Sequence, residues 1–115
     1  MSTFGSCHCG EVRYEVTASI ESVTECNCSI CSRKGILMAF IPETQFKLAR
    51  GEAVLSDYQF GKGHIHHRFC RTCGIGPFGH VDTPDGSRVY AINVRCLEEF
   101  EFKSLPVVHH DGKSL

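Results

Sequence analysis

The chain has 115 residues, and its 12 Lys and Arg against 13 Asp and Glu leave a formal net charge of −1. This length allows one domain, and the near-neutral charge argues against binding to duplex nucleic acid or an acidic membrane. The longest apolar run, 36–42, is far shorter than the roughly 18 residues that a membrane helix needs. The first residues also lack the basic start and apolar stretch of a signal peptide. We therefore expect a soluble, cytoplasmic protein.

Short strands account for most of the predicted secondary structure. Residues 11–17 alternate polar and apolar side chains, as in a half-buried strand, whereas 36–41 is continuously apolar and predicts a buried one. Further strands are predicted at 46–50, 53–60, 64–69 and 88–94, with glycine turns at 61–63 and 83–86.

Helix signals are sparse. One short helix is expected over 29–34, with Ser29 as its N-cap. The segment 107–115 carries no clear pattern and is expected to be a loose tail. The chain 1–115 is thus expected to be a single, mainly β domain.

Eight cysteines are the outlier of the composition. A secreted chain would use them in disulfides, but in a reducing compartment metal ligation is the better interpretation. They form three clusters, at 7–9, 26–31 and 70–73, and Cys96 stands apart. A domain of this size has a modest core, so a structural metal would help it to fold.

Cys70 and Cys73 have the spacing of a metal knuckle, and Gly74 follows them. The two sulfurs can converge on one ion, because glycine allows a left-handed turn after the second ligand. Cys7 and Cys9, if extended, point to one face of a strand. The two pairs could complete a four-cysteine site that joins the N-terminus to the middle of the chain.

The middle cluster places Cys26, Cys28 and Cys31 close together along the chain. Three protein ligands with an open fourth position are the pattern of a catalytic zinc site, whereas four cysteines make a closed, structural site. Seven of the eight cysteines are then divided between one structural and one reactive metal site.

Three other interpretations of the cysteines stay open. Cys28 and Cys31 could join Cys70 and Cys73 in one zinc-ribbon site, although the pairs are further apart than is usual for such motifs. Either Cys-x-x-Cys pair could be a redox dithiol, and thiolates also bind iron–sulfur clusters. Cys96 is most simply a buried free thiol.

Three segments, 5–16, 26–35 and 69–74, contain these motifs with their flanking residues. Together they resemble the glutathione-dependent formaldehyde-activating enzyme family, which includes centromere protein V. Residues 93–97 resemble a late strand of that family, so the likeness covers 5–97. The resemblance implies a β-tent fold, in which zinc clamps small antiparallel sheets. It also implies a carbon–sulfur lyase that forms S-(hydroxymethyl)glutathione from formaldehyde and glutathione or acts on another small thiol.

The resemblance further implies two Zn²⁺ ions per chain. The structural zinc would be bound by Cys7, Cys9, Cys70 and Cys73. The catalytic zinc, at the glutathione site, would be bound by Cys26, Cys28 and Cys31.

The residues allow a mechanism in which a substrate thiol takes the open zinc position as a thiolate and attacks an aldehyde carbonyl. Three cysteine thiolates leave such a site net negative, which favours delivery of the thiolate over activation of the carbonyl by zinc. Asn27 and Ser29 could donate hydrogen bonds to the sulfurs, or simply cap the turn.

Several nearby side chains are candidates for substrate contact. Arg33 and Lys34 could bind a glutathione carboxylate, or they could be solvated surface charges. Tyr58 and Phe60 could wall a substrate cleft, or they could pack in the core.

The histidines have the same two interpretations. His64 and His66 are expected on one face of a strand and His67 on the other. One of them could be a general base, or the cluster could be a polar strand face. His80 is a further candidate.

Two other functions compete with an enzyme. The chain could be a non-catalytic zinc scaffold or a thiol- or metal-responsive protein. A scaffold for nucleic acid is disfavoured, because no basic run exceeds the two residues Arg33 and Lys34.

Overall fold

The computed structural model describes residues 2–60 and 64–114, so the turn predicted at 61–63 lies outside the described residues. The chain forms ten strands and one short helix in that part. They are β1 (Thr3–Ser6), β2 (Arg13–Val16), β3 (Val23–Cys26), α1 (Ser29–Lys34), β4 (Met38–Pro42), β5 (Phe46–Arg50), β6 (Leu55–Tyr58), β7 (Ile65–Cys70), β8 (Phe78–Asp82), β9 (Arg88–Asn93) and β10 (Val107–His110).

The strands form two sheets. The smaller sheet has the order β1-β2-β5, and the larger has the order β10-β3-β4-β9-β8-β7-β6. Neighbours are antiparallel except β10, which pairs in parallel with β3. The mainly β, single-domain fold expected from the sequence is confirmed.

An aromatic cluster fills the core between the sheets. Tyr14 of β2 is fully buried and packs on Phe46 of β5 and Phe78 of β8, with ring centroids 5.4 and 5.5 Å apart. Tyr90 of β9 stacks on Phe46 with 3.9 Å between the centroids. The Tyr14 hydroxyl donates to the carbonyl of Pro77 at 3.2 Å. This core joins the small sheet to the β8-β9 centre of the large one.

Local patterns predicted some elements closely and missed others. The predicted strand 46–50 coincides with β5, and 88–94 exceeds β9 by one residue. The strand expected at 53–60 is shorter, because residues 52–54 form a 3₁₀ turn. We did not predict β1, β3, β8 or β10. In β8 the buried position 80 is a histidine, so the expected alternation of apolar side chains is absent.

The C-terminal segment differs from the loose tail that we expected. β10 pairs with β3 over four residue pairs, from Val107 with Val23 to His110 with Cys26. A 3₁₀ turn, Gly112–Ser114, follows it. All four side chains of β10 are exposed, so the hydrogen bonds of its backbone to β3, and not burial, hold it in place.

Candidate metal centres

The first cysteine cluster contains Cys7, Cys9, Cys70 and Cys73, whose sulfur atoms all lie within 4.8 Å of one another. The sulfurs of Cys7 and Cys9 are 3.6 Å apart, and those of Cys9 and Cys70 are 3.7 Å apart. Four sulfurs around one zinc ion at about 2.3 Å are about 3.8 Å apart, whereas a disulfide bond is about 2.05 Å long. The spacing therefore fits a tetrahedral metal ion.

Two similar turns present these sulfurs. The Gly10 amide donates to the Cys7 carbonyl at 3.3 Å, and the Gly74 amide donates to the Cys70 carbonyl at 2.7 Å. Both glycines have φ of 83°, the left-handed conformation that favours glycine. Cys7 and Cys9 do not lie on an extended strand, since residues 8 and 9 form a turn like that after Cys70.

Backbone amides favour negative charge in this cluster. Burial raises the pKa of Cys73, but hydrogen bonds from the amides of Ile75 and Cys9 outweigh it and bring the pKa to about 6. The Val12 amide donates to the Cys7 sulfur at 3.4 Å. Thiolates are the form that binds metal, so the local backbone prepares the cluster for a cation.

The second cluster contains Cys26 at the end of β3, Cys28 before α1, and Cys31 within α1, with sulfurs again within 4.8 Å of one another. Helix α1 has its predicted bounds, but its N-cap is Cys28 and not Ser29. Cys28 has extended backbone, and its sulfur accepts from the Cys31 amide at 3.5 Å. The capping bond thus brings two of the three sulfurs together.

The three thiolates of this cluster would repel one another, so a bound cation would stabilise them. Burial, together with the hydrogen bond and negative charge of Cys28, raises the pKa of Cys31 to about 12. Burial also acts to raise the pKa of Cys28, but hydrogen bonds from the Cys31 amide and from the Cys31 and Cys26 thiols lower it overall. One thiolate is therefore favoured at the expense of its neighbour, and a divalent cation would allow all three to ionise. The donors fit a thiophilic metal such as zinc.

The division into four and three cysteines excludes the shared zinc-ribbon arrangement in this structure. Cys70 and Cys73 cluster with Cys7 and not with Cys28. Cys96 lies in the 3₁₀ turn after β9 and is half-buried, not fully buried as we expected. Burial raises its pKa to about 11, and the nearby Cys7 and Cys73 add to this effect.

The C-terminal segment lies directly against the three-cysteine cluster. Asn27 donates from Nδ2 to Oδ1 of Asp111 at 2.8 Å, and its Oδ1 accepts from the Lys113 amide at 2.9 Å. A Cβ atom at Gly112 would lie 2.8 Å from the Cys26 sulfur, so only glycine allows this approach. The Asn27 side chain therefore secures residues 111–113, whereas the sequence had suggested a bond to sulfur or a role in the turn.

A cavity of about 430 Å³ adjoins the same cluster. Cys26 and Cys31 form part of its wall, and Arg95, His109 and His110 also line it. Sequence reasoning missed these last three residues. No local signal marks them: the parallel pairing of β10 with β3 brings His109 and His110 to the cluster, and Arg95 lies in the 3₁₀ turn after β9.

The side chains predicted to bind substrate line a different cavity. Arg33, Lys34, Tyr58 and Phe60 line one of about 290 Å³, together with the start of α1. Tyr58 and Phe60 are exposed and stack with their ring centroids 5.9 Å apart, so they form a wall and not core. Burial lowers the pKa of Lys34, while the thiols of Cys31 and Cys96 act to raise it.

Strand β7 separates the histidines onto two faces. His66 contacts Asp57, with Nδ1 2.6 Å from Oδ2, and stacks on the buried His80. His67 lies on the other face and stacks on Phe60. Burial and the charge of Lys34 lower the pKa of His67. Of these histidines, His67 is the one beside the Tyr58–Phe60 wall, and His64 precedes the strand in an exposed position.

Comparison with known proteins adds a family to this geometry. The model of the glutathione-dependent formaldehyde-activating enzyme family matches residues 2–110. The chain belongs to this family. The match includes both cysteine clusters and extends beyond the 5–97 expected from sequence motifs, through β10.

A solved relative agrees with the fold. The crystal structure of a Rhodobacter sphaeroides protein superimposes with a TM-score of 0.75 and 32% sequence identity. The alignment covers 91% of this chain and 99% of that protein. Within residues 2–60 and 64–114, no helix is long and apolar enough to span a membrane. The chain is thus a glutathione-dependent formaldehyde-activating family protein with two cysteine clusters that could hold metal ions.

Proposed function

We propose that the chain adds glutathione to formaldehyde, forming S-(hydroxymethyl)glutathione as a carbon–sulfur lyase. The observation that carries this proposal is the cluster of Cys26, Cys28 and Cys31 beside a cavity of about 430 Å³. A cluster of three donors leaves a coordination position for a ligand from outside, and the cavity gives a small molecule access to it. The family's name supplies the two reactants.

We assign Zn²⁺ to both clusters. Cys7, Cys9, Cys70 and Cys73 would hold a structural ion that joins the N-terminal turn to the end of β7. Cys26, Cys28 and Cys31 would hold the second ion. When bound at the three-cysteine site, zinc supplies positive charge that lowers the pKa of a thiol arriving from the cavity.

The reaction forms one bond and moves one proton. The glutathione sulfur donates an electron pair to the formaldehyde carbon, and the carbonyl π pair moves onto oxygen. The proton released by the thiol completes the hydroxymethyl group, so no oxidant or reductant is needed. The cavity walls hold the two reactants together, which lowers the entropic barrier of a bimolecular step.

A side chain of the cavity can carry this proton. A Cβ atom added at Gly112 would lie 3.6 Å from Cδ2 of His110 and 2.8 Å from the Cys26 sulfur. The His110 imidazole thus stands beside the cluster, in the wall of the cavity. Its ring nitrogens can accept a proton from the thiol and return it to the alkoxide oxygen. We therefore assign the proton transfer to His110 in preference to the β7 histidines.

The cytoplasm is the compartment that suits this chemistry. Both clusters need free thiolates, and glutathione keeps cytosolic thiols reduced. None of the eight cysteines is in a disulfide. We propose cytoplasmic function with a small thiol as the partner, and no role in binding nucleic acid.

Exchange NMR on an equilibrium mixture of formaldehyde and glutathione tests the proposal. The zinc-loaded protein should raise the exchange rate between glutathione and its hydroxymethyl adduct above the spontaneous rate. Cys28→Ser should abolish the rate increase and remove one zinc ion. Cys96→Ser, which changes a cysteine outside both clusters, should keep the rate increase and both zinc ions. A protein that binds two zinc ions and does not accelerate exchange would contradict the proposal and favour a zinc scaffold or a thiol-responsive protein.

A further inference from the structure

Arg95 occupies an unusual position beside the three-cysteine cluster. It lies in the 3₁₀ turn Val94–Cys96, and its backbone amide donates to Oδ1 of Asn93 at 3.1 Å. Its guanidinium carbon is 5.1 Å from the centroid of the Phe102 ring. Stacking on an aromatic ring restricts an arginine side chain without neutralising it. Arg95 also lines the cavity that contains Cys26 and Cys31 in its wall.

The two carboxylates that line this cavity, Glu25 and Asp111, have partners other than Arg95. Glu25 Oε1 is 3.1 Å from Nδ1 of His109. Asp111 accepts hydrogen bonds from Asn27 at 2.8 Å and from Ser114 at 2.7 Å. Arg95, by contrast, has no carboxylate within 4.0 Å among residues 2–60 and 64–114. Its positive charge is therefore available to a ligand.

We propose that Arg95 binds a carboxylate of the thiol substrate and so selects carboxylate-bearing thiols such as glutathione. This inference rests on the function proposed above. A guanidinium can donate two parallel hydrogen bonds to one carboxylate, which gives orientation as well as affinity. Glutathione has a carboxylate at each end and its thiol between them. Because Arg95, Cys26 and Cys31 line the same cavity, a ligand held by Arg95 can bring its sulfur to the cluster.

Arg33 is less suited to this role, although it follows the cysteines directly in sequence. Its Nη1 donates to the Ser29 carbonyl at 2.9 Å, within α1. It lines the cavity of about 290 Å³, whose lining includes no cysteine. A carboxylate bound there would hold the substrate outside the cavity that reaches Cys26 and Cys31.

Binding and turnover of matched thiols test the assignment. S-methylglutathione keeps both carboxylates but has no free thiol, so calorimetry with the zinc-loaded protein measures the carboxylate contact without the reaction. Arg95→Gln should weaken its binding about ten- to hundredfold, the effect of losing a charged hydrogen-bonded contact. Arg95→Lys should restore part of the affinity. Arg33→Gln, which removes a guanidinium from the other cavity, should leave the affinity for S-methylglutathione within about twofold of that of the wild-type protein.

Turnover separates recognition from chemistry. For Arg95→Gln the KM for glutathione should rise about ten- to hundredfold with kcat nearly unchanged. With 2-mercaptoethanol, which has no carboxylate, the variant and the wild-type protein should react alike. An equal loss of activity with both thiols in Arg95→Gln would show a structural defect and overturn the assignment. A loss of glutathione turnover in Arg33→Gln but not in Arg95→Gln would also overturn it.

The two proposals can fail separately. If the wild-type protein does not accelerate formaldehyde exchange but Arg95→Gln weakens S-methylglutathione binding, the reaction is wrong and the carboxylate site stands. If the wild-type protein accelerates exchange and Arg95→Gln binds S-methylglutathione normally, the reaction stands and the assignment of Arg95 is wrong.

Discussion

Asn27 and Asp111 join the three-cysteine cluster to the C-terminal segment through a hydrogen bond of 2.8 Å. Asn27 lies between two of the clustered cysteines, and Asp111 directly follows β10. The same asparagine accepts from the Lys113 amide, so one side chain satisfies both a carboxylate and a backbone donor. Together with the backbone pairing of β10 to β3, this contact restrains the segment that lines the cavity.

Asn27→Asp should release the C-terminal segment. A carboxylate at this position cannot donate to Asp111 and would repel it. We therefore expect the free energy of local opening of the segment to fall by about 1–2 kcal/mol. Hydrogen exchange at the amides of residues 107–113 should accelerate, while exchange in the β8-β9 core should not change. Ser114→Ala is the matched control, since it also removes one bond to Asp111 but keeps Asn27. Unchanged exchange in Asn27→Asp would show that strand pairing alone holds the segment.

The two cysteine clusters should differ in their effect on folding. Cys73→Ser removes a donor from the cluster that links two distant parts of the chain, so stability and one zinc should be lost together. Cys28→Ser should also lose one zinc but keep the fold, because its cluster lies within one short segment. Zinc content by mass spectrometry and thermal unfolding measure both effects.

Should Cys73→Ser fail to fold at all, chelation of the wild-type protein gives the same information. Zinc should leave in two phases, and only the slower phase should accompany loss of the native circular dichroism. Simultaneous loss of both ions with unfolding would contradict the division into one structural and one reactive site.

The buried His80 should make stability depend on pH. It is 5% exposed, and its Nδ1 has no hydrogen-bond partner among the described residues. Burial, aided by the charges of Arg88 and His66, lowers the pKa of His80 from 6.5 to about 4. The unfolded chain therefore takes up this proton first, and the free energy of unfolding should fall as the pH drops from about 6.5 to about 4.

The size of this effect is at most about 3.5 kcal/mol, from about 1.4 kcal/mol per unit of pKa. Urea unfolding between pH 7.5 and 4.5 measures it. His80→Gln, which stays neutral, should show a shallower dependence than the wild-type protein over that range. Zinc loss at low pH affects both proteins, so the difference between their slopes isolates His80. Parallel slopes would exclude His80 as the source.

Tyr14→Phe should weaken the junction between the sheets. The hydroxyl of this fully buried tyrosine donates to the Pro77 carbonyl, which also accepts from the Asn93 amide at 3.0 Å. The carbonyl keeps one donor, so we expect a loss of about 1 kcal/mol in the free energy of unfolding. Tyr58→Phe, at an exposed ring, should change it by less than about 0.5 kcal/mol. A loss equal in both variants would contradict the role of the buried bond.

Much of the local structure could be predicted because it depends on neighbouring residues. The bounds of α1 and β5 follow from short patterns, and the three cysteines of 26–31 meet because one helical turn brings them together. The capping role of Cys28 was not predicted, because serine is a common helix cap and the Cys28 thiol was interpreted only as a metal ligand. The strand β8 was missed because a polar His80 fills a buried position.

The sequence by itself determined the family, the mainly β class and the thiol chemistry, because cysteine spacing and strand patterns act over a few residues. Only the tertiary structure decided what surrounds that chemistry. The parallel pairing of β10 with β3 joins residues more than 80 positions apart, and no local preference encodes it. It carries His110 and Gly112 to Cys26 and brings His109 and His110 into the lining of the cavity that Arg95 also lines. The three-cysteine cluster thus depends on residues close together in sequence, whereas the cavity beside it depends on contacts that form only when the chain folds.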